Sequence, residues 1–221
     1  MKHVLVIAGM AGLAAAAYAI SKGADVVATS GDTADGTTAL DYVNPLGALD
    51  TMLNQYQAGQ AVQNTQMQAA QDMISKSEGT ASASDPYRVC YGYKHTIMNL
   101  ADHPAITGEW KGEPLDKLGA AYAGLVSTAA GKYQMTKPTW LDAKRALGLT
   151  DFTGPSQDAA CAWLIQQAGA ADAVQTGDVS TFVKLCAKRW ASFAGANAPG
   201  QKMNSLATLE TYFENAGGVL A

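Results

Sequence analysis

Ser77-Glu78-Gly79-Thr80 and, about fifty residues on, Ser127-Thr128-Ala129-Ala130-Gly131-Lys132-Tyr133-Gln134 decide how this chain reads. The first run closes a helix over roughly 66–76. Met73 and Ile74 supply its buried side, and Gly79 is the residue type that ends helices through the left-handed region. Glu78 therefore stands at a helix C-terminus, where the negative end of the dipole disfavours ionisation. The second run predicts a tight hairpin whose small residues let another molecule approach the backbone closely. Gln134 offers amide donors and an acceptor suited to sugar hydroxyl and acetamido groups, with Ser127 and Thr128 beside it. Tyr133 suits stacking on a sugar face or filling the core equally well.

Outward from these two runs, composition favours a mainly helical protein. Of 221 residues 48% are apolar and 15% charged, with Ala and Gly abundant and Val, Ile and Phe sparse. The formal charge of −4 argues against nucleic-acid binding, which needs a basic face. The acidic excess lies in 23–78, where seven acids face the single Lys76; residues 79–221 carry twelve acids and twelve bases. Lys144-Arg145 and Lys188-Arg189 read as solvated helix faces.

Three segments follow: 1–22, 23–64 and 65–221. The uncharged stretch 4–20 lies between Lys2 and Lys22, at the lower length limit for crossing a bilayer. It fits either a retained membrane anchor or a signal peptide cleaved after Ala17-Tyr18-Ala19. Either one places the rest of the chain outside the cytoplasm, towards the periplasm and cell wall. Residues 21–44 read as a connector, and the Gln-rich run 46–71 as a helix serving as a spacer or as an arm against another virion or membrane protein. Further helices are expected over 156–168, 179–190 and 205–215, with Cys161 and Cys186 equidistant from the turn between the first two. In an exported protein that register permits a disulfide; the plainer reading is two buried thiols.

Cleavage of a glycosidic bond needs a protonated acid beside the leaving oxygen. Glu78 suits that role by position, although alone it reads equally as a surface glutamate beside a capping glycine. Hydrolysis adds a second carboxylate. Asp102, in Ala101-Asp102-His103-Pro104, leads that search and otherwise caps a turn; Glu109 and Glu113 follow it. Without a second acid, the C6 hydroxyl of N-acetylmuramic acid serves as internal nucleophile and closes a 1,6-anhydro ring, with Glu78 acting first as acid and then as base. His3, His95 and His103 show no metal-ligand spacing, and Cys90 with His95 makes a poor nucleophile pair.

These motifs resemble the endolysin family of phage lambda, lytic transglycosylases with a lysozyme-like fold. The resemblance runs in order through Ser77-Glu78-Gly79-Thr80, Asp102-His103-Pro104, the Ser127–Gln134 run, Leu147-Gly148-Leu149, Ser156-Gln157-Asp158-Ala159 and Trp190-Ala191-Ser192. It implies an α+β lysozyme-like domain, Glu78 as catalytic acid/base, and a glycan cleft lined by the Ser127–Gln134 segment. It further implies peptidoglycan strands as substrate, anhydro products, and no metal or cofactor, in a lysis or virion-entry role. Two departures stand out: a longer loop over 105–126, and Asn197-Ala198-Pro199 where the family carries a cleft tyrosine, whose place Tyr91 or Tyr93 is available to take.

Overall fold

The computed structural model describes residues 45–197 and 201–221. The expected anchor or signal over 4–20 and the connector over 21–44 lie outside them. No helix among the described residues is long and apolar enough to cross a membrane.

Helix α1 runs unbroken from Pro45 to Ser77, 33 residues. A spacer helix and a separate glutamate-bearing helix are thus one element. Pro45 presets the first turn, and the Ala, Gln, Met and Leu that follow sustain the helix until Gly79 ends it. Residues 57–65 are exposed, whereas Gln66, Ala69, Ala70, Met73 and Ile74 are buried in the compact unit Val62–Ala221. Within that unit Gln66 clasps the chain's end. It donates from Nε2 to Val219 O at 2.9 Å and accepts from Val219 N–H at 2.8 Å.

The middle of the chain is irregular. Three short 3-10 turns lead to helix α2 (Pro104–Thr107) and then to a two-stranded antiparallel sheet. Strand β1 (Glu113–Pro114) pairs with β2 (Val126–Ser127), with Glu113 opposite Ser127. Bridges Cys90–Ala130 and Ala130–Met135 extend this small β region. Helices α3 (Lys137–Leu147), α4 (Gly154–Gln167), α5 (Ala171–Thr176), α6 (Val179–Cys186) and α7 (Leu206–Asn215) complete the unit, with α3 against α4, α5 against α6, and α6 against α7.

The stretch between Cys161 and Cys186 is not a plain loop, because α5 fills it. All three cysteines are buried thiols, so the expected optional bridge is absent and the plainer reading applies. Burial pushes the Cys161 and Cys186 thiols well up from their ordinary value, as for inert core residues. The core centres on Trp140, whose ring meets Phe152 edge-on at 4.7 Å; Phe152 in turn meets His103 at 5.1 Å. His103 is neutral there: burial lowers its pKa, Nε2–H donates to Met135 O, and Nδ1 accepts from Ala105 N–H.

Candidate active site

Glu78 follows the last residue of α1. Its N–H closes the helix onto Ile74 O at 2.8 Å, and Gly79 turns the chain at φ 79°. Behind it, Thr80 donates to Lys132 O at 2.6 Å, which ties the helix end to the hairpin turn. In front, the Tyr93 hydroxyl donates to Gly79 O at 2.6 Å. The carboxyl group itself is held by Ser192, whose hydroxyl donates to Oε1 at 2.6 Å. Burial raises the Glu78 pKa above its ordinary value, against an opposing pull from the Ser192 hydroxyl and backbone. The shift is in the direction a general acid needs.

The hairpin is built as its sequence implies, on backbone approach. Gly131 N–H donates to Val89 O at 2.8 Å, and Tyr91 N–H to Ala129 O at 2.9 Å. Gly131 sits at φ 78°, and a Cβ added to it would meet Gln157 Oε1 at 2.1 Å. That space must stay empty because Gln157 holds three strands of chain: it accepts from Lys132 N–H and donates to Tyr87 O and Phe152 O.

The predicted site residues divide. Ser127, Thr128 and Gln134 are partly exposed on the hairpin. Ser127 Oγ accepts from Ala129 N–H at 3.3 Å, and Thr128 Oγ1 accepts from Lys137 N–H at 2.9 Å, which caps α3. Gln134 sits at φ 50° and turns its amide NH2 inward, to Val89 O and Gly131 O. Its donors therefore build the turn rather than face a sugar. It also borders a cavity of about 120 Å³ shared with Thr136, Thr139, Lys188, Arg189 and Trp190.

Tyr133 and Asp102 are both held by the protein's own groups. Tyr133 is wholly buried and cannot stack on a sugar; its hydroxyl donates to Asp158, which also accepts from Tyr87. Asp102 is held in place by Lys144, by Trp140 Nε1–H at 2.8 Å and by the His103 N–H at 2.8 Å. Burial would raise its pKa, but those three donors and the Lys144 charge hold it below the usual range. Glu109 is likewise engaged, accepting from His95 Nε2 and from the Met98 and Asn99 N–H groups. Tyr91 is different. Burial raises its pKa, and the charges of Tyr122, Glu113 and Glu78 raise it further, which brings Tyr91 within electrical reach of the Glu78 carboxyl.

Sequence reasoning missed Ser192 and Asn204 as site residues. Ser192 appeared only inside the Trp190-Ala191-Ser192 motif, and its link to Glu78 spans 114 positions. No cluster of three or more potential metal-ligating side chains occurs among the described residues.

A helix ending on a half-buried glutamate, backed by a small-residue hairpin and a helical core, belongs to a domain of the lysozyme-like class. The endolysin family model matches residues 68–220, and the chain belongs to the endolysin family, enzymes that degrade peptidoglycan. It is 34% identical to the endolysin of Escherichia phage P2 over 154 residues, covering 68% of this chain and 92% of that one. It is 32% identical to the endolysin of Escherichia phage lambda over 162 residues, covering 71% and 94%. Among solved structures, bacteriophage lambda lysozyme complexed with a chitohexasaccharide superposes with a TM-score of 0.61 at 31% identity, over 71% of this chain and 97% of that one. The mostly helical architecture with its small antiparallel sheet is the fold of that protein.

Proposed function

We propose that this endolysin is a lytic transglycosylase, cleaving the β-1,4 bond between N-acetylmuramic acid and N-acetylglucosamine with formation of a 1,6-anhydro ring. Glu78 protonates the leaving oxygen and then, as carboxylate, takes the proton of the muramic acid C6 hydroxyl as that oxygen closes on C1. The observation that carries the reading is the contrast among the acids. Burial pushes the Glu78 pKa up, in the direction a proton donor needs, while Asp102 and Glu109, which hydrolysis would call on, accept from Lys144, Trp140, His95 and backbone N–H groups. The chitohexasaccharide held by the lambda enzyme supports a β-1,4 glycan as the ligand class here. Ser127 and Thr128, partly exposed on the hairpin, would border that glycan.

Mass spectrometry of fragments released from purified peptidoglycan tests the chemistry. Muropeptides one water lighter than hydrolysis products, ending in 1,6-anhydro-muramic acid, are expected. Reducing-end muramic acid would replace this reading with hydrolysis. It would turn attention to Glu113, whose charge reaches the same Tyr91 as that of Glu78. Membrane or virion attachment through residues 4–20 and 46–71 is a separate proposal, checked by the mass of the mature chain and by its partition into membranes with and without residues 1–22.

A further inference from the structure

The Glu78 carboxyl is the end of a hydrogen-bond chain with a fixed direction. Asn204 Nδ2 donates to Ser77 Oγ at 3.0 Å, Ser77 Oγ donates to Ser192 Oγ at 2.7 Å, and Ser192 Oγ donates to Glu78 Oε1 at 2.6 Å. The amide of Asn204 has no choice of orientation. The same Nδ2 faces Ser192 O at 3.3 Å and Ser77 O at 3.4 Å, and carbonyl oxygens only accept. A second bond, from Asn204 N–H to Ser192 O at 2.8 Å, fixes the backbone that carries this amide. Each serine has one proton to give. The Asn204 amide occupies one of the two acceptor sites of Ser77, and the single proton of Ser77 goes to Ser192. The proton of Ser192 then goes to Oε1.

We propose that Asn204, acting through Ser77 and Ser192, is a positioning residue that keeps the transferable proton of Glu78 on Oε2. This rests on the reading of Glu78 as proton donor and deepens it. A protonated carboxyl beside an uncommitted serine would donate its proton to that hydroxyl, and the proton would be held by the protein rather than offered to the glycosidic oxygen. With the chain running from Asn204 through Ser77 to Ser192, the Ser192 proton points at Oε1, which accepts it. The acid proton is left on the other oxygen, and no proton moves along the chain during turnover. The three residues come from the end of α1, the segment after α6 and the approach to α7, so the last third of the unit serves the site at a distance in sequence. Tyr91 feels the charge of this carboxyl, and the ammonium of Lys76, two residues before Glu78, lies over the Tyr212 ring at 5.9 Å. Lys132, on the hairpin, is engaged by Asp72.

The test uses the full chain carrying 13C-carboxyl glutamate, with the Glu78 resonance assigned by its loss in Glu78→Gln. Titration of that resonance and the pH profile of peptidoglycan turnover are measured for Ser77→Ala, Ser192→Ala and the double variant. Cutting the chain at Ser77 frees Ser192 to accept. The midpoint of Glu78 should rise and kcat fall about fivefold, the worth of one neutral hydrogen bond, with KM unchanged. In the Ser192→Ala background, the further change Ser77→Ala should alter neither quantity. Asn204→Ala should reproduce Ser77→Ala, which guards against one variant failing to fold. An unmoved Glu78 midpoint in Ser77→Ala, or an equal effect with Ser192 already removed, would overturn the proposal. The titration reads the chain without turnover, so its failure is distinct from a failure of Glu78 as the acid, which Glu78→Gln reports.

Discussion

Replacing Asp102 by Asn exchanges one carboxylate oxygen for an NH2 group at the point where Lys144, Trp140 and the His103 N–H converge. The remaining oxygen still accepts from Trp140 Nε1 and the His103 backbone, both of which bond to Oδ1 in the native protein. The lost contact is the charge-assisted one, from Lys144 to Oδ2. The Asp102 side chain is only 16% exposed, so its partners cannot all be replaced by water, whereas Lys144 at 28% can turn outward. A hydrogen bond to a charged group contributes about 1.5–3 kcal/mol. For a unit of this size each kcal/mol shifts Tm by about 2–4 °C, so the melting point should fall by about 3–12 °C. Calorimetry near neutral pH measures that shift, and turnover of purified peptidoglycan at 25 °C measures the chemistry. kcat should stay within about twofold of the parent, whereas loss of a general base costs about 10²–10⁴-fold. A variant with unchanged Tm and a hundredfold lower kcat would refute the structural role and restore Asp102 as the second acid of a hydrolase. The pH dependence has a definite sign. The folded pKa of Asp102 lies below its ordinary value of 3.8, so its stabilisation is present above that value and is lost as pH falls through the folded pKa. The Asn variant should lack that part of the acid limb.

Three further expectations follow from the same geometry. Gly131→Ala puts a methyl group 2.1 Å from Gln157 Oε1 at φ 78°; left-handed strain of about 1–2 kcal/mol and overpacking of about 1–3 kcal/mol should lower Tm by several degrees and distort the hairpin, read by calorimetry and by lytic rate. Glu78→Gln should be more stable than the parent at neutral pH. The raised folded pKa of the glutamate gives stability that is full below 4.5 and lost as pH rises through the folded value, so the two melting curves should converge in acid. Cys161 and Cys186 should resist a thiol reagent in the native protein and react once it is unfolded, with reductant leaving Tm unchanged; prompt labelling or a reductant-sensitive Tm would contradict the buried-thiol packing.

The parts of this site legible in the sequence are those carried by local chemistry. Gly79 announces the helix stop that places Glu78, and Ser127, Ala129, Ala130 and Gly131 announce a hairpin open to close approach. Both act over a few residues, where spacing and side-chain size suffice. What the sequence does not show are partners far along the chain: Asp158, which receives the Tyr133 hydroxyl, and Lys144 and Trp140, which donate to Asp102. Helix α5, six residues long, holds too little periodicity to announce itself. Ser192 and Asn204 carry no local signal at all: a serine after Trp-Ala and an asparagine before a helix cap are ordinary residues until the fold sets them against the end of α1.

The central claim is that one carboxyl group, on Glu78, does the acid–base work. The direct measurement is peptidoglycan turnover by Glu78→Gln beside a binding assay on the same insoluble glycan. The side chain keeps its size, and Ser192 can still donate to the remaining oxygen, so folding and glycan binding should match the parent while turnover falls by at least about a hundredfold. A folded, glycan-binding Glu78→Gln protein that still cleaves at near the parental rate would contradict the account.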